Sequence, residues 1–253
     1  MKKRIPLILI LLILAVSCAH GEQKAEDSRI ISPDRTMETL DDEDGTDAFG
    51  NTLDHPGSRY YVINDYFNME SGGSLHILPR FATYQQTTEY SCGCTAALMV
   101  LYYFGIHDYN EMDICRIAGT NETTGTSVEG LQAFLEGAGL RTEYHADTKK
   151  RFNLPEECED YLIRTLDQGA PVLVSWMDWG GHWQIIIGMD TCDTSSPYDD
   201  VLIMADPYDI TDHCQDGYYT VPFGRFFDMW QEGPLTGKKA PYIQPFIAVY
   251  PTE

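Results

Sequence analysis

Cys92 opens a run, CGCTAALMVLYYF, that carries no charge and no proline, with Gly93 as its single glycine. A stretch apolar on every side predicts a helix buried in a domain core rather than a surface helix. At about 1.5 Å per residue it is roughly 20 Å long, too short to span a bilayer. Ser91 suits its N-cap, and Gly105 falls where a left-handed C-terminal cap would sit. Cys92 then occupies the first turn, where unpaired backbone N–H groups and the helix dipole favour a thiolate. A lone cysteine there is either a nucleophile or a small core residue opening a helix. Thiol catalysis also needs a base, an orienter for that base and donors for a tetrahedral oxyanion. Seven histidines are available. His20 and His55 lie in an acidic N-terminal stretch, His76 in the segment after it, His107 and His145 in the helical half and His213 in a polar loop. His182 follows Gly180-Gly181, where glycine permits close approach of another backbone, and opens an apolar strand. Taken alone it reads as well as a satisfied histidine at a strand end, and Asp206-Pro207 reads as a turn.

The elements that must position these groups change character along the chain. Residues 109–118 and 127–137 predict helices, the second on the stripe Leu131, Phe134, Leu135. A third helix is expected within 149–169, with Tyr161, Leu162 and Leu166 inward. From Pro171 onward the pattern shortens to β-branched and aromatic runs bounded by Gly, Pro and Asp: 171–176, 182–189, 201–205 and 246–250. Helices first and strands afterwards imply an α+β domain with an antiparallel sheet rather than alternating βαβ units. Tyr60–Asn64 and Leu75–Pro79 predict two short strands around a turn at 70–73, forming an extension over 58–84. There is no internal repeat and no nucleotide-binding glycine loop.

A glutamine six residues before a Cys-Gly pair, followed by a small-residue helix ending in Tyr-Tyr-x-Gly, resembles the cysteine peptidase family C39. That papain-like family includes bacteriocin leader peptidases and free-standing relatives. The matching residues are Gln86, Cys92, Gly93, Ala96, Met99, Val100, Tyr102, Tyr103 and Gly105, and the stretches 125–140 and 180–209 also resemble it. Cys94 departs from the pattern, where proline is usual, as does Thr95, where alanine is usual. The resemblance covers about residues 80–210 and implies a papain-like cysteine proteinase fold, a helical N-terminal half packed on an antiparallel sheet. It also implies roles: Cys92 as nucleophile, His182 as base, Asp206 as the carboxylate that fixes the imidazole tautomer, and Gln86 as an amide donor to the oxyanion. Composition alone leaves Gln85 an equal candidate; the six-residue spacing selects Gln86. No cofactor or metal is implied, and Cys92-Gly93-Cys94 is too close for a zinc pair.

The N-terminus carries an address. Lys2, Lys3 and Arg4 precede an apolar stretch of signal-peptide length, and Leu14-Ala15-Val16-Ser17-Cys18 resembles a bacterial lipobox. This predicts a signal peptide over 1–17, lipid on Cys18, and anchoring to the extracytoplasmic face of a bacterial membrane. The alternatives are an ordinary secretory signal or an uncleaved anchor. Cleavage removes three positive charges and takes the net charge from −22 to −25. So acidic a protein lacks the basic patch that nucleic acid or anionic headgroups require. Residues 18–57 read as an acidic disordered tether, since Asp41-Asp42-Glu43-Asp44-Gly45 fails the EF-hand spacing and too little apolar surface offsets ordering. The catalytic domain is expected over 58–253.

The remaining cysteines are Cys94, Cys115, Cys158, Cys192 and Cys214. Cys192 and Cys214 flank Asp206 and form the preferred pair. Cys94 and Cys92 point about 200° apart around a helix, so no bond between them is expected. Cys94 is expected inward as a small, unreactive residue; a resolving thiol for oxidised Cys92 is the alternative. Trp176, Trp179 and Trp183 either line a substrate cleft or pack in the core. The leading function is a membrane-anchored cysteine peptidase acting on a peptide or protein through a Cys92 thioester. An amidase or transpeptidase with the same triad, or a non-catalytic binding lipoprotein on the same fold, are the competing readings. The chain holds no transporter domain, which does not suggest leader processing coupled to export.

Overall fold

The computed structural model describes residues 59–252 apart from 61, 63, 210–215 and 234–239. The signal peptide, Cys18 and the tether therefore lie outside the described residues. Among those described, no helix is long and apolar enough to cross a membrane.

The apolar run forms helix α1, Cys92–Tyr103, with every residue from Cys92 to Leu101 buried. Its end is set by Gly105 at φ +75°, a conformation glycine adopts without a Cβ penalty. The Gly105 and Ile106 N–H groups return to Tyr102 O (3.0 Å) and Leu101 O (2.9 Å). Helix α2, Glu111–Ala118, begins under Asn110, whose side chain accepts from the Asp113 N–H at 2.7 Å. Helix α3, Val128–Gly137, begins under Ser127, whose hydroxyl accepts from the Gly130 N–H at 3.1 Å. Helix α4, Pro155–Asp167, buries Tyr161, Leu162 and Leu166 on its inner face, and α5 spans Phe223–Met229.

The seven strands are β1 Leu75–Ile77, β2 Arg141–His145, β3 Val172–Trp176, β4 His182–Asp190, β5 Val201–Ala205, β6 Tyr218–Pro222 and β7 Phe246–Tyr250. They pair antiparallel in the order β2-β7-β3-β4-β5-β6. β1 joins the far end of β4, Ile77 opposite Gly188, on the edge that β3 leaves after Ile186. β4 is the hub, and His182–Met189 are all buried. Side chains alternate between faces, so both sides of this strand are covered. α1 packs on β4 and against α2 and α3, which puts the N-terminus of the buried helix beside the start of the hub strand.

The α+β architecture with an antiparallel sheet is as expected, but three local readings are corrected. Tyr60 and Val62 are 79% and 81% exposed and, among the described residues, belong to no strand. β2 and the β6–α5 unit were not anticipated: Arg-Thr-Glu-Tyr-His at an edge is too polar, and Phe223–Met229 too short, to carry a periodic signal. Beyond the expected β1, helices do not all precede strands: β2 lies between α3 and α4, and α5 follows β6.

Candidate active site

Three chain segments meet at the start of β4. The stretch 78–86 is fastened along the sheet end: Leu78 N–H to Ile187 O (2.8 Å), Tyr218 hydroxyl to Phe81 O (2.6 Å), Thr83 hydroxyl to Asp216 O (2.8 Å) and Gln86 N–H to Pro207 O (2.9 Å). The last of these ties Gln86 to the residue after Asp206. The Gln86 side-chain amide then donates to Thr88 O at 2.6 Å. Ser91 donates to the same carbonyl at 3.1 Å, so the Gln86 amide and the N-cap of α1 meet at one oxygen, next to Cys92. Ser91 sits at the N-cap position, but its hydroxyl turns back to Thr88 instead of capping the helix.

Cys92, His182 and Asp206 converge. Cys92 is a free thiol whose proximity helps raise the His182 pKa, and the two side chains lie at the ends of buried elements. They are largely buried, retaining 7% and 5% of their surface. His182 Nε2 lies 2.6 Å from Asp206 Oδ1. An ionised carboxylate only accepts, so Nε2 carries the proton and Nδ1 is left to meet the thiol. Asp206 is fully buried, and its Oδ1 also accepts the Tyr208 N–H at 2.8 Å while Oδ2 accepts from Gln184 at 2.9 Å. Burial opposes charge on both partners. For His182 that downward pull is outweighed by the Asp206 charge, by their hydrogen bond and by Cys92, which hold its pKa well above the ordinary imidazole value. For Asp206 the upward pull of burial is outweighed by His182 and the Tyr208 and Gln184 donors, and its pKa lies below the ordinary carboxylate value.

Sequence reasoning missed three supports. Gln184, in the middle of an apolar strand, was signalled only by being polar among buried neighbours. Glu111 is 2% exposed, and its carboxylate accepts the Thr87 N–H at 3.0 Å. It thereby ties Thr87, in the loop ahead of Cys92, to the start of α2, and burial raises its pKa. Tyr208 stands edge-on to the His182 ring at 6.1 Å between centroids, and its hydroxyl reaches Glu89 at 3.1 Å, joining the two loops that border the site.

Two cysteine readings are corrected. Cys94 is buried, as expected, but it is bonded to Cys115, Cα–Cα 5.5 Å, linking α1 to α2. Packing brings these two helices within disulfide reach, a contact that no spacing of 21 residues announces. Cys94 is therefore not a free resolving thiol in this structure. Cys192 is exposed and free, in the turn after β4. Cys214 lies outside the described residues. Trp176 and Trp183 are core residues, 4% exposed each; the Trp183 indole donates to Thr126 O at 2.9 Å. Gly93 lets α1 approach this pair, since a Cβ there would lie 2.8 Å from Thr126 and 3.0 Å from Trp183. Gly180-Gly181 is indeed closely approached, by the chain's own Gly233. Among the described residues no group of three or more His, Cys, Asp or Glu is placed to hold a metal ion.

No curated protein matches the chain. Among solved structures, the peptidase domain of Streptococcus ComA, a bifunctional ABC transporter involved in a quorum-sensing pathway, is similar at 18% identity and a TM-score of 0.44. The match covers 66% of this chain and 96% of that one. A double-glycine-motif protease from an AMS/PCAT transporter, solved with its leader peptide, is similar at 13% identity and a TM-score of 0.42, covering 67% of this chain and 91% of that one. The family model for the peptidase C39-like family matches residues 79–233, more than half of the sequence and all of the converging groups above. The chain belongs to the peptidase C39-like family.

Proposed function

We propose that this protein is a cysteine peptidase, held by lipid on Cys18 to the extracytoplasmic face of a bacterial membrane, that cleaves peptide bonds in a peptide or protein substrate. The observation that carries the reading is the His182 ring set between the Cys92 thiol and the buried Asp206 carboxylate, 2.6 Å away. In the reading, the Cys92 proton passes to His182 Nδ1 and the thiolate attacks the scissile carbonyl carbon. The oxyanion is met by the N–H groups opening α1, which have no intrahelical acceptor, and by the Gln86 amide. Imidazolium gives its proton to the leaving amine as the C–N bond breaks, forming a Cys92 thioester. Water then loses a proton to His182, attacks the thioester and releases the acid and the thiol. An exported location is supported by the Cys94–Cys115 bridge, since disulfides persist in oxidising compartments.

The test is cleavage of a peptide library by the full-length protein and by Cys92→Ala, with acid-quenched samples mapped for an acyl adduct on Cys92. Cleavage and adduct should be present in the first and absent in the second; an active Cys92→Ala would overturn the assignment. Incorporation of a labelled fatty acid, lost in Cys18→Ala, tests the anchor separately.

A further inference from the structure

Gln184 lies two residues after His182 on β4, so both side chains leave the same face of the strand. It has no solvent exposure, and a buried amide is costly unless its hydrogen bonds are made. Here they are made four times. Oε1 accepts from Trp176 Nε1 (2.5 Å) and from the Tyr219 hydroxyl (2.8 Å), and Nε2 donates to Asp206 Oδ2 (2.9 Å) and Asp178 Oδ2 (3.3 Å). The amide can point only one way: an indole N–H donates and a carboxylate accepts, so oxygen faces Trp176 and nitrogen faces Asp206. The partners arrive from β3, from β6, from the end of β5 and from the turn ahead of His182. Asp206 Oδ1 is engaged by His182 and the Tyr208 N–H, while the other oxygen takes the Gln184 donor.

We infer that Gln184 is a positioning residue for the Cys92–His182 couple: it keeps Asp206 ionised and aimed at the imidazole, and Trp176 and Tyr219 lock the amide in the orientation that does so. The inference rests on the thiol-catalysis reading. The titratable groups facing this amide–carboxylate pair are His182 on β4, Asp178 in the preceding turn, Tyr219 on β6, Tyr208 and Asp209 after β5, and Cys92 on α1. Removing the donor weakens the ionised form of Asp206, which weakens the imidazolium and with it the thiolate.

The experiment is the pH dependence of Cys92 alkylation by iodoacetamide in the full-length protein, with the modified site mapped by mass spectrometry; no peptide substrate is needed. In Gln184→Met, which keeps length but offers no hydrogen bond, the rise in alkylation should move up by about one pH unit, with roughly tenfold slower reaction below it. Gln184→Glu keeps the shape and separates positioning from packing. While the introduced carboxyl is protonated its O–H donates to Asp206 as the amide does, and reactivity stays near wild type. As it ionises, two carboxylates face each other and reactivity falls with rising pH, opposite to the Gln184→Met profile. A role limited to packing would lower reactivity by the same factor at every pH in both variants, and that result, or profiles matching wild type, would overturn the inference. Should wild-type Cys92 itself fail to react, it is the peptidase reading that falls; a reactive wild type with unmoved variants removes only Gln184.

Discussion

Asp206→Asn isolates the charge from the shape of the orienting group. The asparagine carbonyl would still accept from His182 and from the Tyr208 N–H, so the ring keeps a partner, but the counter-charge is lost. The wild-type contact is 2.6 Å between side chains 5% and 0% accessible, where screening by water is minimal. A hydrogen bond to a charged group contributes about 1.5–3 kcal/mol, and at 1.36 kcal/mol per pKa unit the upper end corresponds to about two units. Burial alone pulls His182 down, so with Asp206 neutralised the pKa must fall. The alkaline limb of kcat/KM should therefore move down by about two pH units, with turnover at neutral pH reduced about 10²–10³-fold. A second cost is local: the new NH2 group faces Gln184 Nε2, donor against donor, leaving an unsatisfied group worth about 1–3 kcal/mol. Stability should change in step. A raised His182 pKa gives stability that is complete below about 6.5 and fades as pH rises through the folded value; a lowered Asp206 pKa gives stability that is complete above about 3.9 and fades as pH falls through its folded value. Between those limits the wild type should exceed the variant most. The measurements are the pH–rate profile of peptide cleavage and urea midpoints from pH 3 to 9. An alkaline limb that stays in place would refute the claim that Asp206 sets the charge on His182.

The other predictions address how the site is held. Replacing both Cys94 and Cys115 by Ala should cost about 3 kcal/mol by the loop-closure estimate for a separation of 21 residues, read as a lower urea midpoint with the m-value little changed; an equal midpoint would mean the bridge does not form in the protein. In Gly233→Ala the new Cβ would collide with Gly180 O and Gly181 Cα, backbone atoms two residues and one residue before His182, so kcat should fall about tenfold or more while Cys92 remains intact to titration; full activity would show that the contact is not kept. Glu111→Leu leaves the buried Thr87 N–H without its acceptor and should lower stability by about 1–3 kcal/mol, seen as an earlier thermal transition.

The sequence announced what is local and hid what is assembled. α1 was legible because an uncharged run with a usable cap at each end has one sensible fate, and its C-terminal glycine behaves as read. β3, β4, β5 and β7 were legible because their β-branched runs are bounded by turn residues. Cys92, His182 and Asp206 could be singled out only through the family resemblance, since each alone has an ordinary structural explanation. The edge strand β2 failed because its pattern of exposure is set by a neighbour, β7, more than 100 residues away. The Cys94–Cys115 bridge failed for the same reason: it depends on how α2 lies on α1. Glu111 looked like an acidic residue in a first helical turn, where the dipole welcomes one, and nothing local says that it points into the core.

Those hidden residues share a physical task. Taking an imidazolium and a carboxylate out of water costs several kcal/mol per ion unless nearly every remaining donor and acceptor is matched. The Cys92–His182–Asp206 line cannot supply those matches itself, because three groups in a row leave the far carboxylate oxygen and the flanks of the ring bare. The matches come from the Tyr208 N–H and Gln184 around Asp206, and from Trp176 and Tyr219 around Gln184. Neighbouring strands β3, β4, β5 and β6 present these groups at one end of the sheet, in register: Trp176 opposite His182, and Ala205, just before Asp206, opposite Ile185 and Tyr218. A slip of one residue in any of these pairings would turn its contributor to the other face and leave a buried charge short of a partner. The register of the sheet is thus under electrostatic as well as hydrophobic constraint at this end. At the opposite end, the β4–β5 turn runs through the positive φ values of Cys192 and Asp193 and is held by exposed local bonds, Cys192 N–H to Asp190 Oδ1 at 2.9 Å and the Thr194 hydroxyl to Asp199 Oδ1 at 2.9 Å.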